Sequence, residues 1–211
     1  VKDFQPVAMI AKNPIVMITN KNVPATNLRE FIAWVKSNPG KVTYCTGAFG
    51  GINHLLGEVF NKMAGTDMLH VPHKGSAPCI QDLLGGRIEA TFDTPTGKIS
   101  MIKAGTMRAL GVTTKERFAM LPDVPTLAEG GVPFDTSTWT ALFTRSGVPA
   151  PVLARLESET LKAIRHPEMT PKMAELGVEI SPMNAAELDR FWKAEFAYWR
   201  EALAAAKVKL D

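Results

Sequence analysis

The residues of this chain best suited to chemistry lie in one stretch, Val42-Thr43-Tyr44-Cys45-Thr46-Gly47-Ala48-Phe49-Gly50-Gly51-Ile52-Asn53-His54. A β-branched and aromatic run meets a glycine-rich elbow and opens into a helical pattern, Leu55-Leu56-Gly57-Glu58-Val59-Phe60. A strand that feeds a helix through glycines leaves backbone N–H groups without intrahelical acceptors, and the aligned peptide dipoles add partial positive charge there. That is the chemistry of anion binding. No Gly-Lys-Ser/Thr follows, and Gly47, Gly50 and Gly51 are not spaced as a dinucleotide fingerprint, so a small anion such as a carboxylate fits better than a phosphate chain. The same glycines would also serve a turn that merely lets strand and helix pack closely.

Other chemistry-bearing residues are sparse. Asp93 ends the strand-like Ile88–Phe92 run, where it could accept hydrogen bonds from a ligand or cap a helix starting near Pro95. Lys74 follows Pro72-His73 and could bring charge to an anion or stand in solvent. His70 and His73 form H-x-x-H, but in a strand such positions face opposite sides, and no Cys/His cluster completes a zinc site, so no metal is expected. Neither Ser nor Cys sits in a nucleophile-elbow pattern. Without a matched nucleophile, base and metal, binding is favoured over turnover and no cofactor is expected. Cys45 and Cys79 are too few to build a disulfide fold; two buried single thiols are expected, with a bridge as the alternative if strand ends bring them close.

These residues need a scaffold, and the pattern supplies one. Phe4 to Ile10 and Pro14 to Thr19 read as strands about a turn at Asn13-Pro14. Asn27 and Glu30 resemble a capping box ahead of Leu28, Phe31, Ile32 and Val35 at helical spacing. After the elbow and its helix, which Gly65 stops, come a strand at Met68–Val71 and a helix at Ser76–Leu84. A strand at Ile88–Phe92, a helix at Thr96–Lys103 and a strand at Met107–Val112 follow. Such alternation indicates a mainly parallel sheet covered on both faces, with ligands beyond the carboxyl ends of its strands. Three loops converge there: Thr46–Gly51, Pro72–Gly75 and Asp93–Thr96. Leu121 to Thr126 reads as a proline-fixed surface segment. A strand at Thr138–Phe143 and a helix from Pro149-Ala150-Pro151 to His166-Pro167 follow, then a shorter helix to Leu176. Asn184 and Glu187 resemble a second capping box, opening a long helix whose Leu188, Phe191, Trp192, Phe196, Trp199 and Leu203 are expected to pack as core.

Composition narrows the class. The 211 residues suffice for one large domain or two lobes. The net charge of +3, from 24 Lys+Arg against 21 Asp+Glu, is small and scattered, which argues against a nucleic-acid surface. No apolar stretch approaches a membrane span. The chain begins at Val1 with no charged n-region, so any leader is expected to have been removed or to lie outside this sequence.

The ordered landmarks resemble one family, the Bug-type substrate-binding receptors of tripartite tricarboxylate transporters. They are Asp3-Phe4-Gln5-Pro6-Val7, Asn38-Pro39-Gly40-Lys41, Thr46 to His54, and His70-Val71-Pro72-His73-Lys74-Gly75. Later come Leu83-Leu84-Gly85-Gly86, Ala104 to Leu110, Leu121 to Glu129, Trp139, and the terminal Lys207-Val208-Lys209-Leu210-Asp211. Each is weak alone; the series spans nearly the whole chain. The resemblance implies an α/β, type II periplasmic-binding-protein fold, in which two lobes with mainly parallel sheets close on a small organic carboxylate. The ligand is then handed to membrane permease subunits in a periplasmic setting. It assigns residues 1–12 as the entering strand of lobe 1, 13–136 as lobe 2, and 137–211 as the C-terminal part of lobe 1. Carried over by position, Thr46, Gly47, Ala48, Phe49, Gly50 and Gly51 would be the carboxylate loop. His73, Asp93 and Thr94 would line the pocket, with His73 standing where the family usually has Tyr. Roughly the family's first third has no counterpart here, so lobe 1 is expected to be incomplete at its N-terminus, completed by a missing segment or a second chain. Residues 1–211 alone are then expected to bind the acid weakly or not at all, and to expose apolar surface on Phe191, Trp192, Phe196 and Trp199 unless another chain covers it. The rival readings are an enzyme acting on a small anionic substrate and an effector-sensing domain of a regulator.

Overall fold

The computed structural model describes residues 2–206, so the terminal Lys207–Asp211 motif lies outside the described residues. Two compact units form. One comprises Val1–Asn13 and Thr138–Glu201, and the other is built on Pro14–Ser137. In the latter a five-stranded sheet has β2 (Val16–Asn20), β3 (Thr43–Thr46), β4 (Leu69–Pro72), β5 (Ala90–Asp93) and β6 (Met107–Val112) in the order β4-β3-β5-β2-β6. β3 pairs parallel with both β4 and β5, whereas β2 runs antiparallel to β5 and to β6. The sheet is therefore parallel except for its first strand. β2 and β5 are buried along their whole length, as expected of strands covered on both faces.

The covering helices are α1 (Leu28–Ser37), α2 (Ile52–Ala64), α3 (Ser76–Leu84) and the short α4 (Ile99–Lys103). α1 buries Leu28, Phe31 and Val35. Its cap differs in detail from the expected box: Asn27 Oδ1 accepts the Glu30 N–H, but Glu30 reaches back to Thr26 rather than to Asn27. α2 lies close against β3 because position 57 is glycine. A Cβ there would stand 2.2 Å from Tyr44 Cε2. The Tyr44 hydroxyl donates to Glu58 Oε1 at 2.6 Å, and burial pushes its pKa up, so the phenol stays protonated.

Several expectations are corrected. The turn at Asn13-Pro14 does not form. β1 (Phe4–Pro14) stays extended to Ile15, whose N–H and carbonyl both bond Thr113 (3.1 and 2.9 Å). Proline's φ suits an extended strand, and its missing N–H ends the ladder there. Leu121 and Val124 are buried in the core beside Phe118, so the proline segment is only partly surface. The helix expected from Thr96 begins at Ile99, because residues 94–98 form a loop of their own. Cys45 and Cys79 are not single thiols: they are bridged, joining the buried end of β3 to α3. The second cysteine sits on a helix, a geometry that strand-end reasoning did not consider.

The other unit holds a three-stranded sheet, β7-β1-β8, from β7 (Ser137–Arg145) and β8 (Glu179–Met183). β8 was not anticipated, since it is short and contains a proline. It pairs antiparallel with β1, and the register Met9↔Met183, Ala11↔Ile180 leaves an extra residue on β8. A bulge of that kind is where a strand proline is tolerated. α5 (Ala150–Ile164), α6 (Met169–Glu175) and α7 (Ala185–Ala206) complete the unit. The second capping box forms as expected: Asn184 and Glu187 exchange two bonds of 2.9 Å. Of the aromatic stripe, Leu188 is buried, while Phe191 and Trp192 meet Trp139 and Phe143 on β7. Phe196, however, is 59% exposed and is not core.

Candidate functional site

The elbow forms between β3 and α2. Gly50 has φ 73°, a left-handed conformation that glycine adopts without steric cost. Gly47 serves close approach instead: a Cβ there would fall 2.8 Å from the Gly75 carbonyl carbon and the Ser76 nitrogen. The loop preceding α3 is consequently knitted onto the elbow, with the His73 N–H donating to Thr46 O (2.9 Å) and the Gly75 N–H to Gly47 O (2.8 Å). Within the elbow, Thr46 Oγ1 donates to Ala48 O at 3.0 Å.

Which amides remain decides what the elbow can hold. The Gly50 N–H is taken, donating to His54 Nδ1 at 3.0 Å, so it leaves the donor set the sequence proposed. No acceptor among the described residues is found for the N–H groups of Gly47, Ala48, Phe49, Gly51, Ile52, Asn53 and His54. The first intrahelical bond of α2 comes only at Leu55, to Gly51 O. Ala48 and Phe49 are exposed. Amides without acceptors at the positive end of a 13-residue helix suit the chemistry of an anion.

Asp93 lies at the adjoining loop, 5% exposed and saturated. Oδ1 accepts from the Thr94 N–H (2.8 Å) and from Asn53 Nδ2 (3.5 Å); Oδ2 accepts from the Ser76 hydroxyl and pairs with Lys98 Nζ at 3.1 Å. A carboxylate offers about four acceptor positions, and all are filled. Lys98 is equally buried and spends its remaining protons on Thr94 O (3.1 Å) and Thr96 O (3.3 Å). The helix-cap alternative does not hold either, because the N-cap of α4 is Lys98. Asp93 instead ties the first turns of α2 and α3, through Asn53 and Ser76, to the end of β5. Thr94 contributes through its backbone. The structure thus brings together Thr46 to Gly51, Asp93 and Thr94.

The ring of His73 goes elsewhere. Its Nε2 meets Asp82 Oδ2 at 2.8 Å and its Nδ1 meets Val71 O at 3.1 Å. His73 and Arg87 beside Asp82 hold that carboxyl below its usual range. Lys74 is exposed. His70 shares no partner with His73. Its Nε2 meets Thr46 Oγ1 at 2.7 Å and its ring stacks on His54 with centroids 3.9 Å apart.

Sequence reasoning missed His54, Asn53, Ser76 and Lys98. The one local signal was a histidine four residues after Gly50, in the first turn of the helix. Burial lowers the pKa of both stacked imidazoles, that of His70 to about 4. Between that value and the ordinary 6.5 the unfolded chain binds protons that the folded chain refuses, so stability falls as pH drops through this window. Urea midpoints measured from pH 6.5 to about 5.2, where most carboxylates remain ionised, are expected to decline, and the decline to shrink in His70→Phe. A flat profile would contradict neutral, stacked rings.

Among the described residues no helix is long and apolar enough to cross a membrane. The sequence matches the description "Tripartite tricarboxylate transporter family receptor" over residues 1–207. A protein of Pseudomonas sp. (strain P51), from the tcbD-tcbE intergenic region, is 32% identical over 204 residues, 96% of this chain and 61% of the relative. This chain therefore spans about three-fifths of that relative's length. Among solved structures, R. palustris Rpa4515 with adipate superposes with TM-score 0.89 at 32% identity, over 98% of this chain and 69% of that one. MatC from Rhodopseudomonas palustris with bound malate superposes with TM-score 0.82 at 25% identity, over 95% of this chain and 69% of that one. With a family match over nearly its whole length and the periplasmic-binding-protein fold of these structures, the chain belongs to the tripartite tricarboxylate transporter receptor family.

Proposed function

We propose that this chain is the ligand-binding part of an extracytoplasmic receptor that captures a small organic carboxylate and presents it to membrane permease subunits. The carrying observation is the elbow, where backbone N–H groups without an acceptor among the described residues gather at the amino end of α2. Donors of this type suit a carboxylate directly or through water, and they need no catalytic set. The similar proteins solved with adipate and with malate support an acid with two carboxyl groups. Residues 13–136 would form one lobe of the receptor, and residues 1–12 with 137–211 would contribute to the other, in a periplasmic setting. Family membership supports a receptor in preference to an enzyme acting on a small anion or to the sensing domain of a regulator.

The test is calorimetry on the receptor carrying residues 1–211, with adipate and malate against their diamides. Amides keep the carbon skeleton but remove the charge that the elbow would recognise. Heat with the acids and none with the diamides is expected; equal binding of acid and amide would overturn the reading.

A further inference from the structure

We infer that His54 is the positioning residue of the elbow: accepting the Gly50 N–H at Nδ1, it holds the loop in the shape that leaves the neighbouring amides open to an anion. The inference rests on the carboxylate reading above and assigns the role to a side chain that itself offers the ligand nothing.

The geometry is specific. An Nδ1 that accepts a 3.0 Å bond carries no proton, so the ring is neutral with its proton on Nε2. The carbonyl one helical turn before the Gly50 amide, Thr46 O, already takes the His73 N–H. The His54 ring is 4% exposed and is flanked by Phe49 (centroids 4.8 Å) and His70 (3.9 Å). His70 in turn grips the other end of the loop. The Thr46 hydroxyl spends its proton on Ala48 O, so Thr46 Oγ1 accepts from His70 Nε2. One pair of stacked imidazoles therefore fixes both Thr46 and Gly50, the two ends of the elbow.

The charged and titratable groups around His54 are few. Glu58, one turn along α2, places Oε1 3.8 Å from Nε2, and the Tyr44 hydroxyl of β3 bonds both Glu58 Oε1 and His54 O. His70 approaches from β4. A proton added at Nδ1 would set two donors against each other and release Gly50.

The decisive measurement needs no mutation. In 15N-labelled protein at pH 7.5, a through-hydrogen-bond coupling is expected between the Gly50 amide nitrogen and an unprotonated His54 Nδ1. A protonated Nδ1 would overturn the inference. Two variants add function. His54→Phe keeps a flat ring without the acceptor, and His54→Asn offers an oxygen near the place of Nδ1. His54→Phe is expected to speed exchange of the Gly50 amide at least tenfold and to weaken adipate binding at least tenfold, with His54→Asn recovering part of both. Fast exchange with unchanged affinity, or slow exchange in His54→Phe, would refute the positioning role. If the unmutated receptor binds neither adipate nor malate, the carboxylate reading fails, while the coupling and the exchange rates still decide the hold on Gly50.

Discussion

Replacing Asp93 with Ala is expected to cost about 3–5 kcal/mol of stability, because it strands a buried ammonium. Lys98 is 7% exposed and has no other carboxylate among its bonds; truncation leaves its charge facing two carbonyls alone. It also frees Ser76 and Asn53, the side chains by which the first turns of α3 and α2 are tied to β5. Sequence reasoning left Asp93 between lining the ligand pocket and capping a helix. A carboxylate that already accepts four donors has little left for a ligand. Urea unfolding of Asp93→Ala beside the double variant Asp93→Ala/Lys98→Met separates the two. The double variant is expected to regain much of the loss, since it removes the orphaned charge. A single variant within about 1 kcal/mol of the parent would show that solvent reaches Lys98, and the buried-tie reading would fall.

The second large effect attaches to the bridge between Cys45 and Cys79. It closes a loop of sequence separation 34, and loop-closure entropy for that length gives about 4 kcal/mol. Both cysteines are buried, at 0% and 1% exposure, so reductant is expected to act slowly on the folded chain and fully only after denaturant loosens it. Guanidinium unfolding with and without reductant, compared with Cys45→Ala/Cys79→Ala, measures the term. An unfolding midpoint indifferent to reductant would mean the bridge contributes nothing. The bridge joins β3 to α3, and just beyond it the His73 and Gly75 N–H groups tie the loop preceding α3 to Thr46 and Gly47.

Much of the architecture could be read from residues because its signals are local. Glycines at 47, 50 and 51, the helix stop at Gly65, and the limits of α3 and β6 follow from spacing and backbone freedom, and the structure places them accordingly. The convergence of three loops also followed, from strand–helix alternation. What escaped depends on partners distant in sequence. β8 reveals itself only through its antiparallel register with β1 and a bulge at its proline. The Asp93–Lys98 pair was hidden because a lysine five residues after an aspartate reads as ordinary surface charge. His54 was quoted with the elbow and given no role, since nothing in its spacing says that an imidazole, rather than solvent, receives the Gly50 amide. Phe196 was expected both as core, from periodicity, and as exposed, from the absent part of lobe 1; it is exposed, because helical periodicity gives the face of an apolar side chain, not what lies opposite it.

One division within the elbow bears on how such a loop can change over generations. Thr46, Gly47, Gly50 and His54 set its form through bonds, close approach and a left-handed turn. Ala48 and Phe49, between them, are exposed, Phe49 by 54%. Their side chains accept and donate no hydrogen bond, but the Phe49 ring stands 4.8 Å from that of His54, so only at Ala48 does a substitution change the outer surface of the loop without touching what shapes it. The loop keeps its form only while that frame is kept, whereas the side chain at position 48 can change without cost to it.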